Sequence, residues 1–345
     1  MIPVQNIYYM LSYAFRALQA QSYRQVAAES FDHAADLLAA ILCKGVSIQL
    51  KRGLCKEYVS QTEPLSTVRG RMDVTASLKR QTLLRRQIIC TYDAFSEDCR
   101  MNEILKSTML LFLHASIVSK ERKRELRRLL AYFDEVSEMD LRHVDWQFRY
   151  RRNNRQYQML IAICELAAKG LLQTQADGAM KVMEFLDEQS MCRLYEKFLL
   201  AYYQTEFPQM HASAAWILWQ LDDEARAFLP MMQSDVLLTY GRKTLILDAK
   251  YYQNALSFHY GKHVQHSANL YQIFTYVKNK EAELSGQPHE VAGVLLYAKT
   301  EEDILPDADY HMSGNRISVR SLDLNQSFSV IRQQLNGIAK EYFGV

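Results

Sequence analysis

The chain has 345 residues, 49% of them hydrophobic and 23% charged, with a formal net charge of +2. That length admits two domains, and the composition supplies real cores. No apolar run approaches the ~20 residues a membrane span needs; Met109-Leu110-Leu111-Phe112-Leu113 is the longest such piece. The start lacks a basic n-region, so secretion is not indicated. Cys43, Cys55, Cys90, Cys99, Cys164 and Cys192 are scattered without a C-x-x-C pair, a usage expected of reduced thiols in the cytoplasm. The charge is asymmetric: residues 1–175 carry 26 Lys+Arg against 18 Asp+Glu, and residues 176–345 carry 15 against 21. A basic N-terminal half suits phosphate backbones or an acidic protein partner, and sequence alone does not choose between them. The basic run at 120–128 also holds Glu121 and Glu125, so it reads as a solvated helix face.

In chain order, residues 4–18 read as an amphipathic helix whose Ile7, Met10, Leu11, Ala14, Phe15 and Leu18 share a face. A second helix is expected over 31–43. Period-2 patterns at Val46/Ile48/Leu50 and Met72/Val74/Ala76/Leu78 then suggest strands. Another strand is expected at 86–94, two helices over 100–132, a strand at 143–150 and a helix over 155–171. Gln173 to Gly178 is the most polar, turn-prone interval, and it divides residues 1–175 from residues 176–345. Beyond it the chain alternates: strand 181–186, helix 189–206, strand 213–220, a hairpin, helix 266–280, strands 290–298 and 315–322, and a last helix 326–342. That last helix is expected to bury Phe328, Ile331, Leu335 and Ile338. The fold class expected is α+β or mixed α/β, with a C-terminal mixed sheet flanked by helices.

The hairpin, residues 234–250, carries the chemistry. With Gly241-Arg242 as a two-residue turn, Gly first as a type II′ turn prefers, Tyr240 pairs with Lys243 and Asp235 lands opposite Asp248. Facing like charges at roughly 4.5–5.5 Å are destabilising, and Lys250 projects from the same face as Asp248. Two acids beside a lysine call for a cation, and Mg²⁺ with its oxygen ligands is the natural candidate. A D-x-K triplet also occurs by chance, and hairpin-end charges are usually just solvated. Here, however, they end the apolar run Thr244-Leu245-Ile246-Leu247, which reads as a central strand buried on both faces. In the helix that follows, Asn269, Gln272 and Tyr276 form a polar stripe beside Leu270, Ile273, Phe274 and Val277; an ordinary amphipathic helix is the competing reading. Glu196, on the helix over 189–206, is a supporting metal ligand or base, or an ion-pair partner of Lys197 or Arg193. His259, His263 and His266 lack a fourth ligand nearby, so a solvated loop is preferred to zinc. No G-x-x-x-x-G-K-[ST] loop is present, since Gly261-Lys262 leads into His263; the chain is not expected to hydrolyse a nucleotide by itself.

Asp235, Asp248-Ala249-Lys250 and Gln272-x-x-x-Tyr276 resemble the PD-(D/E)xK nuclease core in its RecB-like form, with Ser234 where that motif has proline. Ile2-Pro3-Val4-Gln5-Asn6-Ile7-Tyr8-Tyr9-Met10-Leu11, Leu229-Pro230-Met231, Asp248-Ala249-Lys250-Tyr251-Tyr252 and Asn269-Leu270-Tyr271-Gln272 are similar to the McrC family, over almost the whole chain. That family supplies the nuclease subunits of McrBC modification-dependent restriction systems. The resemblance implies a restriction-endonuclease-like domain at 176–345, with Asp235, Asp248 and the Ala249 carbonyl holding Mg²⁺. Lys250, Gln272 and Tyr276 would complete the catalytic set, with double-stranded DNA as substrate. It implies that residues 1–175 dock into a McrB-like AAA+ GTPase ring, which binds the GTP, with Arg69 and Arg71 as candidates for stimulating it. Reading of 5-methylcytosine would belong to that partner. Two rivals stay open: a regulatory adaptor with a vestigial site, and a stand-alone DNA or RNA nuclease.

Overall fold

A computed structural model of the chain describes residues 2–152, 154–176, 188–223, 227–251, 256–259, 262–299 and 306–344. Two compact units emerge, one of Met1–Ala34 with Lys181–Val345 and a second of Ala35–Met180. The division read from the sequence at 175/176 therefore needs correcting at the other end. The first 34 residues belong with the C-terminal segment. Helix α1 (Val4–Ala14) packs there: Tyr9 stacks on Phe328 at 4.4 Å, Tyr13 Oη donates to Glu206 Oε1 at 2.6 Å, and Asn6 Nδ2 donates to the Leu324 and Gln326 carbonyls at 2.8 Å. A polar interval marks where a chain crosses over; it carries no record of an apolar stripe returning from 300 residues away. The helix is also shorter than expected. Phe15 is extended, and a 3₁₀ turn over Arg16–Gln19 buries Leu18 instead. A short α2 (Arg24–Ala28) follows.

The second unit opens with α3 (Ala34–Arg52). This helix runs straight through Val46, Ile48 and Leu50, so the strand expected there is absent. Buried on most sides, from Leu37 to Val46, it has no single stripe, and a few apolar residues two apart fit a buried helix as well as a strand. Strands β1 (Glu57–Leu65), β2 (Arg71–Asp73) and β3 (Ile88–Ser96) form an antiparallel sheet in the order β1-β3-β2. The strand expected over 72–78 ends at Asp73, whose carboxylate accepts from Ala76 N at 2.8 Å and caps α4 (Val74–Lys79). Helices α5 (Arg100–His114), α6 (Lys120–Leu130) and α7 (Tyr157–Ala176) agree with expectation, while 143–150 forms no strand.

The rest of the first unit comprises α8 (Glu188–Glu206), β4 (His211–Ser213), β5 (Trp216–Ile217), β6 (Met232–Gln233), β7 (Val236–Tyr240), β8 (Lys243–Lys250), β9 (Leu256–His259), β10 (Lys262–Gln265), α9 (Ser267–Glu283), β11 (Glu290–Ala298), β12 (Ala308–Met312), β13 (Asn315–Leu322) and α10 (Phe328–Phe343). The strand expected at 213–220 is split between β4 and β5, and that expected at 181–186 lies outside the described residues. Where a loop was expected around His259 and His263, β9 and β10 pair as a hairpin. The main sheet has six strands in the order β12-β13-β11-β8-β7-β4. Strand β8 lies at its centre, antiparallel to β7 and parallel to β11, with Thr244 to Ala249 all buried. One face of the sheet packs Ile246, Val291, Leu295 and Ile317 against Ile273, Tyr276 and Val277 of α9. Gly293 permits that approach. A Cβ there would lie 2.7 Å from Ile273 Cγ1 and 2.8 Å from Val277 Cγ2, distances no packed side chain tolerates. No helix among the described residues is long and apolar enough to cross a membrane.

Candidate active site

The β7–β8 turn sets the site's register. Gly241 has φ of +58°, in the left-handed region that glycine enters freely, and Tyr240 pairs with Lys243 as the spacing requires. Pairing runs to Val236 opposite Leu247, so Asp235 comes next to Asp248. The backbone N–H of Ala249 donates to Asp235 Oδ2 at 2.7 Å, drawing the two aspartates together across the strands. Ser234 is buried, and its N–H donates to the Ala215 carbonyl at 3.0 Å. A proline at this position could not make that bond, which gives serine here a structural use.

Asp248 is 1% exposed. Lys250 Nζ sits 2.6 Å from its Oδ2, and the amine also donates to Gln272 Oε1 at 3.0 Å. Gln272 Nε2 in turn donates to Tyr276 Oη at 2.9 Å. The i, i+4 spacing of Gln272 and Tyr276 puts both on one face of α9, over the end of β8. All five residues expected from the sequence, Asp235, Asp248, Lys250, Gln272 and Tyr276, thus form one connected cluster.

The electrostatics of the cluster are unfavourable as it stands. Burial and the facing Asp248 push the Asp235 carboxyl up to about 7, with nearby Glu196 adding to the rise and the Ala249 N–H and Lys250 opposing it. Burial also raises Asp248, against the pull of Lys250. The Lys250 ammonium, 2.6 Å from the buried Asp248 Oδ2, is the charge that offsets this pair. A buried and a half-buried carboxyl held close, with one Asp248 oxygen facing Lys250 Nζ, form an oxygen-rich niche suited to a hard divalent cation.

Glu196, expected as a supporting residue, lies near enough to Asp235 to raise its carboxyl. It is half-buried on α8, where its Oε1 accepts from Cys192 Sγ at 3.1 Å. Among the described residues no group of three His, Cys, Asp or Glu side chains converges as a metal cluster. Burial and the Glu196 hydrogen bond push the Cys192 thiol up to about 12, so it stays protonated and donates. All six cysteines are unpaired thiols. Arg69, in the second unit, has its guanidinium 4.1 Å over the Tyr92 ring, and the turn at Gly70 (φ +66°) presses so close to β3 that a Cβ would fall 2.4 Å from the Thr91 carbonyl.

One contact escaped the sequence reading. Asn269 Nδ2 donates to Tyr297 Oη at 2.9 Å, and Tyr297 pairs with Lys250 in the parallel β8–β11 register. Asn269 was visible as a polar helix position. Its partner could not be found without the strand order.

An antiparallel hairpin, a parallel run β8-β11-β13, a helix crossing between β8 and β11, and an Asp-Asp-x-Lys set at the end of the central strand define a restriction-endonuclease-like fold. The family model of the "McrBC 5-methylcytosine restriction system component" matches residues 4–298, and the chain belongs to that family. It is 29% identical, over 99% of its own length and 98% of the relative's, to the type IV methyl-directed restriction enzyme EcoKMcrBC of Escherichia coli (strain K12). Among solved structures it is similar to a half-complex from a tetradecameric assembly of Thermococcus gammatolerans McrB AAA+ hexamers with bound McrC. There the TM-score is 0.47 at 16% identity, covering 97% of this chain and 76% of that one. A second structure, of the Thermococcus gammatolerans McrBC complex, gives a TM-score of 0.40 at 15% identity over 59% of this chain and 58% of that one.

Proposed function

We propose that this chain is the nuclease subunit of a GTP-dependent, modification-dependent restriction complex and hydrolyses DNA phosphodiester bonds with Mg²⁺. The observation that carries the reading is the joining of Asp235, Asp248, Lys250, Gln272 and Tyr276 into one hydrogen-bonded and ion-paired cluster. Asp235, Asp248 and the Ala249 carbonyl would hold the metal, which when bound lowers the pKa of water and offsets charge on the phosphate. Lys250, fixed between Asp248 and Gln272, orients the attacking water and balances charge developing on phosphorus. Gln272 and Tyr276 hold the amine in place, so that it arrives at the phosphate without a search over rotamers.

The second unit is the surface for the motor. Half of the sixteen exposed large hydrophobics among the described residues fall within residues 58–95, including Tyr58 with Phe95, Leu78, Leu83 and Leu84. Interleaved with them are Arg69, Arg71, Lys79, Arg80, Arg85 and Arg86. Apolar exposure on this scale marks an interaction surface, and its basic rim favours an acidic partner. That partner is a McrB-like AAA+ GTPase ring in this reading, with Arg69 and Arg71 as candidates for stimulating its GTP hydrolysis.

The test is cleavage of plasmid DNA carrying 5-methylcytosine by the full chain with its AAA+ partner, GTP and Mg²⁺. Cutting is expected only when all four components are present, and chelation should stop it reversibly. Efficient cutting of plain DNA by the chain alone would instead favour a stand-alone nuclease.

A further inference from the structure

Helix α9 is tied to the sheet by two side-chain rungs at one level. The first is the Lys250–Gln272 bond, made to β8. The second is Asn269–Tyr297, made to β11, and its strand residue is the register neighbour of Lys250. Asn269 and Gln272 are one helical turn apart, so both rungs fix the same turn of α9. Both members of the second rung are buried, Asn269 at 6% and Tyr297 at 1% exposure. The bond is therefore made away from water, where a donor–acceptor pair is sensitive to geometry and costly to break. Farther along the helix, Ile273 and Val277 rest against Gly293 and set its depth. Those contacts are apolar and non-directional, so they do not fix rotation or sliding of the first turn. The directional constraint there comes from Asn269 and Tyr297.

We infer that Asn269 and Tyr297 are positioning residues, which hold the first turn of α9 so that Gln272 delivers Lys250 to the reacting phosphate. Neither is a catalytic residue, since both act through Gln272. The inference rests on the nuclease reading above and goes beyond it in assigning a role to a pair outside the Asp-Asp-x-Lys-Gln-Tyr set. Displacement of a catalytic amine by about 1 Å costs on the order of 10²-fold in rate.

The experiment is a double-mutant cycle in the full chain with its AAA+ partner, GTP, Mg²⁺ and methylated plasmid. The variants are Asn269→Leu, Tyr297→Phe and the pair. Each single variant is expected to lower kcat by about ten- to a hundredfold with KM for DNA unchanged, and the double variant should be no slower than the worse single. Asn269→Asp is expected to restore most of the rate, because a carboxylate can accept from the tyrosine hydroxyl. Thermal unfolding of each variant is followed in parallel. If the rate losses multiply in the double variant, or scale only with loss of thermal stability, the pair is merely structural and the inference falls. If Tyr297→Phe, still folded, cuts at the wild-type rate, the inference falls while the nuclease reading stands. If the wild-type complex does not cut at all, the nuclease reading fails and takes the inference with it.

Discussion

Replacing Asp248 by alanine is expected to abolish DNA cleavage, lowering the rate by at least about 10³-fold, since a lost ligand removes several kcal/mol of charge stabilisation from the transition state. The residue is the most enclosed part of the site: 1% exposed, paired with Lys250, and set beside Asp235 by the hairpin register. Lys250→Ala should fall by a comparable factor through a different route, because it leaves the acid pair in place but removes the positive charge and its tie to Gln272. Stimulation of the partner's GTPase should survive both changes, because the residues proposed for docking belong to the other compact unit. The measurement pairs a plasmid-nicking assay with phosphate release by the partner. Loss of both activities in a folded variant would undo the proposed division of labour.

The converse substitution lies in the second unit. Changing Leu83 and Leu84 together to glutamate is expected to reduce partner GTPase stimulation more than tenfold. Their side chains are 45% and 82% exposed, so folding should change by no more than about 0.5 kcal/mol per site. Each glutamate, however, puts a negative charge into a basic apolar surface that would be desolvated on docking. Cleavage should fall in step with stimulation, because the motor is no longer engaged, while divalent-cation binding at Asp235 and Asp248 stays intact. A variant that stimulates the GTPase normally would move the docking surface elsewhere.

The legibility of this chain in its sequence followed the physics of each segment. The hairpin was readable because a glycine turn and a period-2 strand leave little freedom: once Gly241 is placed, the pairing of Tyr240 with Lys243 follows, and the aspartates come together. The long, strongly periodic helices α5, α8, α9 and α10 were readable for the same reason. The second unit was read less well. Helix α3 begins within the helix expected over 31–43, but its continuation to Arg52 is apolar on most sides and passed for a strand, while α4 depends on a single capping Asp73 that an alternating pattern concealed. Strand β1 is largely exposed, so it lacks the buried face that makes strands visible. Two features needed three dimensions. The return of α1 to the C-terminal segment rests on Asn6 reaching carbonyls 318 and 320 residues away. The Asn269–Tyr297 rung depends on β11 lying next to β8. Glu196 was visible as an acid on the right helix, and its nearness to Asp235 and its hydrogen bond with Cys192 emerged only in the fold.

The central claim is that Asp235 and Asp248 together hold a divalent cation, and calorimetric titration with Mn²⁺, comparing wild type with Asp248→Ala at pH 6 and pH 8, tests it most directly. Burial and the facing acid keep a proton on Asp235 up to about pH 7, so below that pH a cation must displace the proton and above it need not. Binding should therefore be tighter at pH 8. At pH 6 it should weaken by roughly tenfold, with about one proton released per cation, and in the variant it should be lost at both values. Binding that is insensitive to pH and unchanged in Asp248→Ala, or no binding by the wild type at either pH, would contradict the account.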